Sequence, residues 1–242
     1  MEDQPGMLTP SSRAASPFLV VEDVSRSFVT AAETVEAVRN ATFSAHQGEF
    51  VCVFGASGSG KSTLVNLIAG LDSADAGRIL VGQADLGLLD EGGRARCRLD
   101  AIGVVFQDHN LIEEFTAAEN VALPLEARGV ARKSALRQAS AQLARVGLAG
   151  LEDRLPGRLS GGQRQRVGIA RALVGERDLL LADEPTGALD SRSSQELFEL
   201  IRGLCDQGAV AVVCSHDVRC QEFADTVYEM VDGRPLLRER VS

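Results

Sequence analysis

The fold class expected of this chain is α/β, with a mainly parallel sheet, a small antiparallel β subdomain and a helical insertion. Three features of the sequence predict it. Short apolar runs such as Phe50–Phe54 and Leu179–Ala182 alternate with stretches of helical period, as in buried parallel strands covered by helices on both faces. The early runs Phe18–Phe28 and Val35–Phe43 alternate only partly and are joined by a polar loop, which suits antiparallel strands beside the main sheet. From Leu111 to Leu159 no short strand run occurs, so that block reads as helices inserted into the core. At 242 residues and 45% hydrophobic, the chain can bury one such core.

Residues 1–17 are rich in Ser, Pro and Ala without periodicity and read as a disordered tail. After the two early strands, His46-Gln47-Gly48 turns the chain into Phe50–Phe54. Leu64, Leu67, Ile68 and Leu71 then recur at i, i+3, i+4 and i+7, one face of a helix. Asp72–Gly77 is a turn, Arg78–Val81 a short strand and Glu91–Leu99 a polar helix. The strand Ile102–Phe106 ends at Gln107-Asp108-His109-Asn110, with His109, like His46, in a loop. Thr116–Arg128 is helical, with Pro124 expected to break or kink it. Lys133–Val146 is helical with Leu136, Ala139, Leu143 and Val146 on one face. The alternating pattern resumes with a helix over Gly161–Val174, the strand Leu179–Ala182, a helix over Ser191–Leu204 and the strand Ala209–Cys214.

A net charge of −9 argues against a nucleic-acid partner, because neutralising phosphates needs a basic face. The arginines Arg164, Arg166 and Arg171 read instead as a solvated or interface face. Five cysteines, an odd number with no CxxC pair, argue for reduced thiols. Cys214, His216 and Cys220 are close in sequence, but their spacing fits no common zinc pattern. No stretch reaches the roughly 18 apolar residues of a membrane span. The start, Glu2-Asp3, lacks an apolar secretory segment, so a soluble, intracellular chain is expected.

The chemistry concentrates in Gly55-Ala56-Ser57-Gly58-Ser59-Gly60-Lys61-Ser62-Thr63, a GxxxxGK[ST] loop between a strand and a helix. This is the context of a P-loop NTPase core. Backbone N–H groups of such a loop close around phosphate oxygens, and the helix N-terminus adds partial positive charge. Lys61 would reach the β- and γ-phosphates, and the Ser62 hydroxyl would ligate Mg²⁺. Asp183 and Glu184 follow the apolar strand Leu179–Ala182 and point into the crevice where α/β sheets bind ligands. Asp183 would hold Mg²⁺ through its water shell, and Glu184 would polarise an attacking water. Ser160 is a good N-cap for a helix that begins with Gly161 and Gly162, two residues that weaken a first turn. Something must approach that backbone closely. A symmetric dimer, each chain offering this helix start to the other's γ-phosphate, would use both phosphate-reading elements.

These motifs together resemble the ATP-binding cassette (ABC) ATPases, over roughly Phe18 to Arg234. Gly55–Thr63 matches the Walker A motif, Gln107 the Q-loop, Leu159-Ser160-Gly161-Gly162-Gln163 the signature, and Leu179–Asp183 the Walker B motif followed by Glu184. Ala188-Leu189-Asp190 resembles the D-loop and His216 the switch histidine. The resemblance implies an ABC ATPase domain over 18–238 with a helical subdomain at about 108–160, and ATP and Mg²⁺ as ligands. Gln107 would join Ser62 and Asp183 around Mg²⁺, and Phe28 would stack on adenine where Tyr is commoner. It implies a head-to-tail homodimer sandwiching two ATP molecules, bound to an integral membrane permease subunit at the inner face of the cell membrane. Phe106–Ile112, Glu119–Pro124 and Ala182–Gly187 are similar to the lipoprotein-release and macrolide-export branch. The alternative is a soluble cassette protein of repair or translation, a class usually marked by coiled-coil insertions, zinc modules or tandem cassettes. A GTPase switch would need an Asn-Lys-x-Asp base reader, and neither Lys61 nor Lys133 lies in one.

Overall fold

β1 (Leu19–Val29) and β2 (Thr34–Ala45) pair antiparallel, with Leu19 opposite Ala45 and Phe28 opposite Val35. β3 (Phe50–Phe54) runs into the phosphate loop and α1 (Lys61–Ile68). β4 (Ala76–Val81) returns to β1, and the two-residue β5 (Ala84–Asp85) closes a four-stranded antiparallel sheet of order β2-β1-β4-β5. α2 (Glu91–Ala101), capped by the Asp90 carboxylate on the Gly93 N–H, leads to β6 (Ile102–Val105). α3 (Ala117–Ala127) and α4 (Arg132–Arg145) form the inserted layer, which packs on α5 (Gly161–Leu173). β7 (Leu179–Asp183), α6 (Ser191–Cys205) and β8 (Val210–Ser215) follow, then the short α7 (Cys220–Phe223) and a hairpin of β9 (Thr226–Val231) and β10 (Arg234–Arg240). The second sheet has the order β10-β9-β3-β8-β7-β6, parallel throughout except for β10. This computed structural model describes residues 16–30, 33–107, 110–175, 177–187 and 189–240. The expected tail up to residue 15, His109 and Ala188 lie outside the described residues.

The parallel strands bury both faces, which is why they read as continuous apolar runs. Phe50, Cys52, Leu180, Ala182, Ala211 and Val213 point into one hydrophobic cluster with the inserted helices and α6. Their neighbours Val51, Val53, Leu179, Leu181, Val210 and Val212 point into a second cluster shared with α1 and the antiparallel sheet. The period of two thus divides each central strand between two cores.

Several local expectations are corrected. Leu71 lies beyond the end of α1, past Gly70 at φ +62, and is 47% exposed rather than on the buried helical face. Pro124 sits inside α3 without ending it. A capping box between Thr116 and Glu119 and the packing of α3 on α4 and α5 hold the helix through the lost donor. The three arginines of α5 are not a solvated face. Arg164 donates to the Leu159 carbonyl, Arg166 to Val146 O and to Glu196, and Arg171 to Asn110 O at 2.6 Å. The β9–β10 hairpin was not anticipated. Its signal is Asp232-Gly233, both at positive φ (47° and 79°), the residue pair favoured in a two-residue hairpin turn.

Candidate active site

α1 starts at the C-terminal end of β3, so its free N–H groups face a cleft at the carboxyl edge of the parallel sheet. Gly60 caps α1 at φ +105, and a Cβ there would lie 2.0 Å from the Ala37 carbonyl oxygen. Only glycine lets β2 approach the loop this closely. The cleft has a volume of about 490 Å³ and is lined by Ser57, Gly58, Gly60, Lys61, Ser62 and Thr63. Gln107 and Glu184 also line it, which places the end of β7 beside the phosphate loop.

Lys61 is 5% exposed, and its ammonium donates to the carbonyls of Gly55 at 2.8 Å and Ala56 at 2.9 Å. It also forms an ion pair with Glu184 at 3.2 Å. The other Glu184 oxygen accepts the His216 backbone N–H at 3.2 Å and lies 2.7 Å from the His216 Nδ1. Glu184 therefore bridges an ammonium and an imidazole. Its φ of +47 is uncommon for a non-glycine residue, and its N–H donates to Cys214 O, which holds this conformation.

Asp183 closes β7 with one carboxylate oxygen buried and unpartnered. Burial pushes its carboxyl up, the neighbouring Glu184 adds to this, and the Ser62 hydroxyl and Lys61 oppose it. A buried orphan oxygen beside a serine hydroxyl fits a small, hard divalent cation, which takes oxygen ligands. Ser59, a loop residue the motif reading passed over, also has a buried hydroxyl without a partner and lines the cleft. Val35, Glu36, Ala37, Arg39 and Asp232 form the outer wall, contributed by strands whose sequence carries no motif.

Two groups of expected site residues lie outside the cleft. Phe28, at the end of β1, is 40% exposed with the Arg26 guanidinium 4.8 Å from its ring centroid. Its strand partner Val35 lines the cleft, so Phe28 stands at the margin and not in the core. Ser160, Gly161, Gly162 and Gln163 start α5 on another surface. The Ser160 hydroxyl accepts the Gln163 N–H, and the Gln163 side chain accepts the Ser160 N–H, a complete capping box. Ser160 is exposed, and a Cβ at Gly162 would meet Leu189 Cδ2 at 3.2 Å. At least one close approach to this helix start therefore comes from the chain itself.

The cysteine thiols do not line the cleft. Cys214 Sγ lies 3.8 Å from Lys61 O, and burial holds the Cys214 and Cys220 thiols well above their ordinary range. Among the described residues, no three His, Cys, Asp or Glu side chains are grouped to hold a metal.

Comparison with known proteins agrees with this geometry. Residues 38–187 match the ABC transporter family. The chain is 40% identical over 218 residues to the macrolide export ATP-binding/permease protein MacB of Shigella boydii, covering 90% of this chain and 34% of that protein. It thus spans about a third of the length of the curated relatives it matches. Among solved structures, the dimeric bacterial ABC transporter cassette MJ0796 superimposes with a TM-score of 0.88 at 34% identity, covering 93% of this chain and 99% of that one. A post-hydrolysis state of the same cassette bound to ADP and Pi gives 0.86 at the same identity and coverage. Fold, cleft and comparisons converge: the chain belongs to the ABC transporter family and is an ABC ATPase cassette.

Proposed function

We propose that this chain binds and hydrolyses ATP as the ATPase subunit of a bacterial transporter or mechanotransmission complex, as a head-to-tail homodimer docked on a separate membrane permease. The observation that carries the reading is the Lys61–Glu184–His216 chain of contacts beside Ser62 and Asp183 in one cleft. In it, Lys61 exchanges the loop carbonyls and Glu184 for the β- and γ-phosphates, and the N–H groups of Ser57–Thr63 receive the phosphate oxygens. Glu184, released from Lys61, accepts a proton from the attacking water, while His216 orients that carboxylate and senses the γ-phosphate. Ser62, Asp183 and Gln107 hold Mg²⁺, which when bound neutralises charge on the β- and γ-phosphate oxygens. Phe28 stacks on adenine. No helix among the described residues is long and apolar enough to cross a membrane, and in this reading the permease places the chain at the inner membrane face.

The dimer gives Ser160–Gln163 a second task beside capping α5. The exposed start of α5 reads the γ-phosphate held by the partner subunit, so Ser160→Arg is expected to abolish hydrolysis while leaving ATP affinity of the monomer within about twofold. Equilibrium dialysis on the monomer, alongside a phosphate-release assay, makes the check. Loss of monomer ATP binding as complete as in Lys61→Ala would show that the two motifs do not act across chains.

Docking on the permease is read from a groove between α2 and α3. In the segment from Gln107 to Arg128, Leu111 packs on the core and Phe115 is half-buried, while Ile112 stays exposed. The same segment contributes Leu123, Pro124 and Ala127, which with Leu71 and Leu99 line an apolar groove of about 490 Å³ that opens beside Phe106 and Asn110. A short helix of the permease seated there would feel every rotation of the inserted layer about Gln107. Leu71→Asp is therefore expected to reduce permease-stimulated turnover at least fivefold, roughly 1 kcal/mol of coupling, with basal turnover and folding unchanged. Undiminished stimulation, with no cross-link from a cysteine placed at position 71, would exclude this groove.

A further inference from the structure

Among the described residues, one cleft is larger than the one that faces the phosphate loop. It has a volume of about 970 Å³ and lies at the opposite edge of the parallel sheet, where β7 and β8 begin. α4 and the end of α3 form one wall, and the ends of α5 and α6 form the other. The volume is at the upper end of what small-molecule sites occupy, about 300–1,000 Å³.

Its charge is unusual for a chain of net charge −9. Arg128, Arg145 and Arg177 line it, with Asp178 the only carboxylate among the described lining residues. Arg128 is already used: it donates to the carbonyls of Leu99, Asp100 and Gly175 and pairs with the Asp100 carboxylate at 3.4 Å. Arg145 and Arg177 form no ion pair among the described residues. Arg145 has only the neutral amide oxygens of Gln142 at 3.3 Å and Gln207 at 3.5 Å. Arg177 has one long bond to Ala172 O at 3.4 Å, and its Nε is buried with no partner. Asp178 is exposed and pairs with neither. Burial, then the nearby Arg128 and Arg171, push the Arg177 guanidinium down to about 10, an unfavourable environment that a bound anion would relieve. The amides of Gln47, Gln138, Gln142 and Gln207 add neutral donors around the same space.

We propose that this cleft is a second binding site, for a small organic anion carrying two or more phosphate or carboxylate groups, held by Arg145 and Arg177. Two guanidinium forks recognise such oxyanions bidentately, and the apolar floor formed by Leu125, Leu179 and Leu180 accommodates a carbon body. The ligand would span the inserted layer and the sheet, so its binding is separate in place from the nucleotide cleft.

Isothermal titration on the full chain carrying Lys61→Ala, which disables the phosphate loop, tests this without nucleotide, at matched ionic strength. Fructose 1,6-bisphosphate and citrate are the probes, one for each source of oxyanion. At least one should bind with a Kd below about 1 mM. Arg145→Gln with Arg177→Gln should weaken it at least tenfold, and the single exposed change Gln138→Glu, which places a carboxylate at the cleft without disturbing the fold, at least threefold. Absence of heat from both probes at 10-fold higher concentration overturns the proposal. So does binding that survives the arginine and Gln138 changes undiminished, or capture of an acidic peptide where neither small anion binds.

Discussion

Glu184→Gln is expected to lower ATP turnover by about 10²–10⁴-fold, the range lost with a general base, while ATP binding persists and the ATP-bound dimer accumulates. The amide keeps the size of the side chain and can still contact His216, but it cannot take a proton from water. It also removes the negative partner that Lys61 meets at 3.2 Å. Lys61 is then freer to meet phosphate, so affinity for ATP should hold or rise. Size-exclusion chromatography with Mg²⁺ and ATP should show a dimer, and a phosphate-release assay almost no product. Turnover at the parent rate would remove Glu184 from the reaction.

Gly103→Ala is expected to cost about 3 kcal/mol of stability, the upper end of overpacking penalties, and to lower Tm by roughly 6–12 °C. Gly103 lies in β6 under the last turn of α5, where a Cβ would stand 2.0 Å from the Ala172 carbonyl oxygen. The obstacle is backbone, so the helix as a whole must move to relieve it, and that helix carries Ser160 at its other end. Gly203→Ala is the matched control. It lies in α6 with nothing within 4 Å of the added carbon and should stabilise by about 0.5–1 kcal/mol. Thermal unfolding followed by circular dichroism reads both, and an unchanged Tm for Gly103→Ala would mean that α5 does not press on β6.

The motif-bearing half of the site was legible because its chemistry is local. A strand, a glycine-rich loop and a helix in unbroken sequence dictate where Lys61 and Ser62 go, and the carboxyl end of an apolar strand dictates where Asp183 and Glu184 go. Contacts made at a distance were not legible. Nothing in the sequence of β2 announces that the Ala37 carbonyl covers Gly60, or that Glu184 is shared by Lys61 and His216. The docking groove shows the same limit. Leu71, placed on one helical face by its period, came out at the groove, while Leu111, in a stretch without periodicity, packs on the core. Periodicity locates a face only as far as the helix extends, and α1 stops three residues short of Leu71.

The contact between Gly162 and Leu189 carries a last consequence. Leu189 stands five residues after Glu184, so the segment leaving one active site rests on the helix start that, in a head-to-tail pair, serves the other. A shift at Glu184 on loss of phosphate would press on the sensor of the opposite pocket through a single side chain. In such a pair each ATP site would register the state of the other through the same side chain.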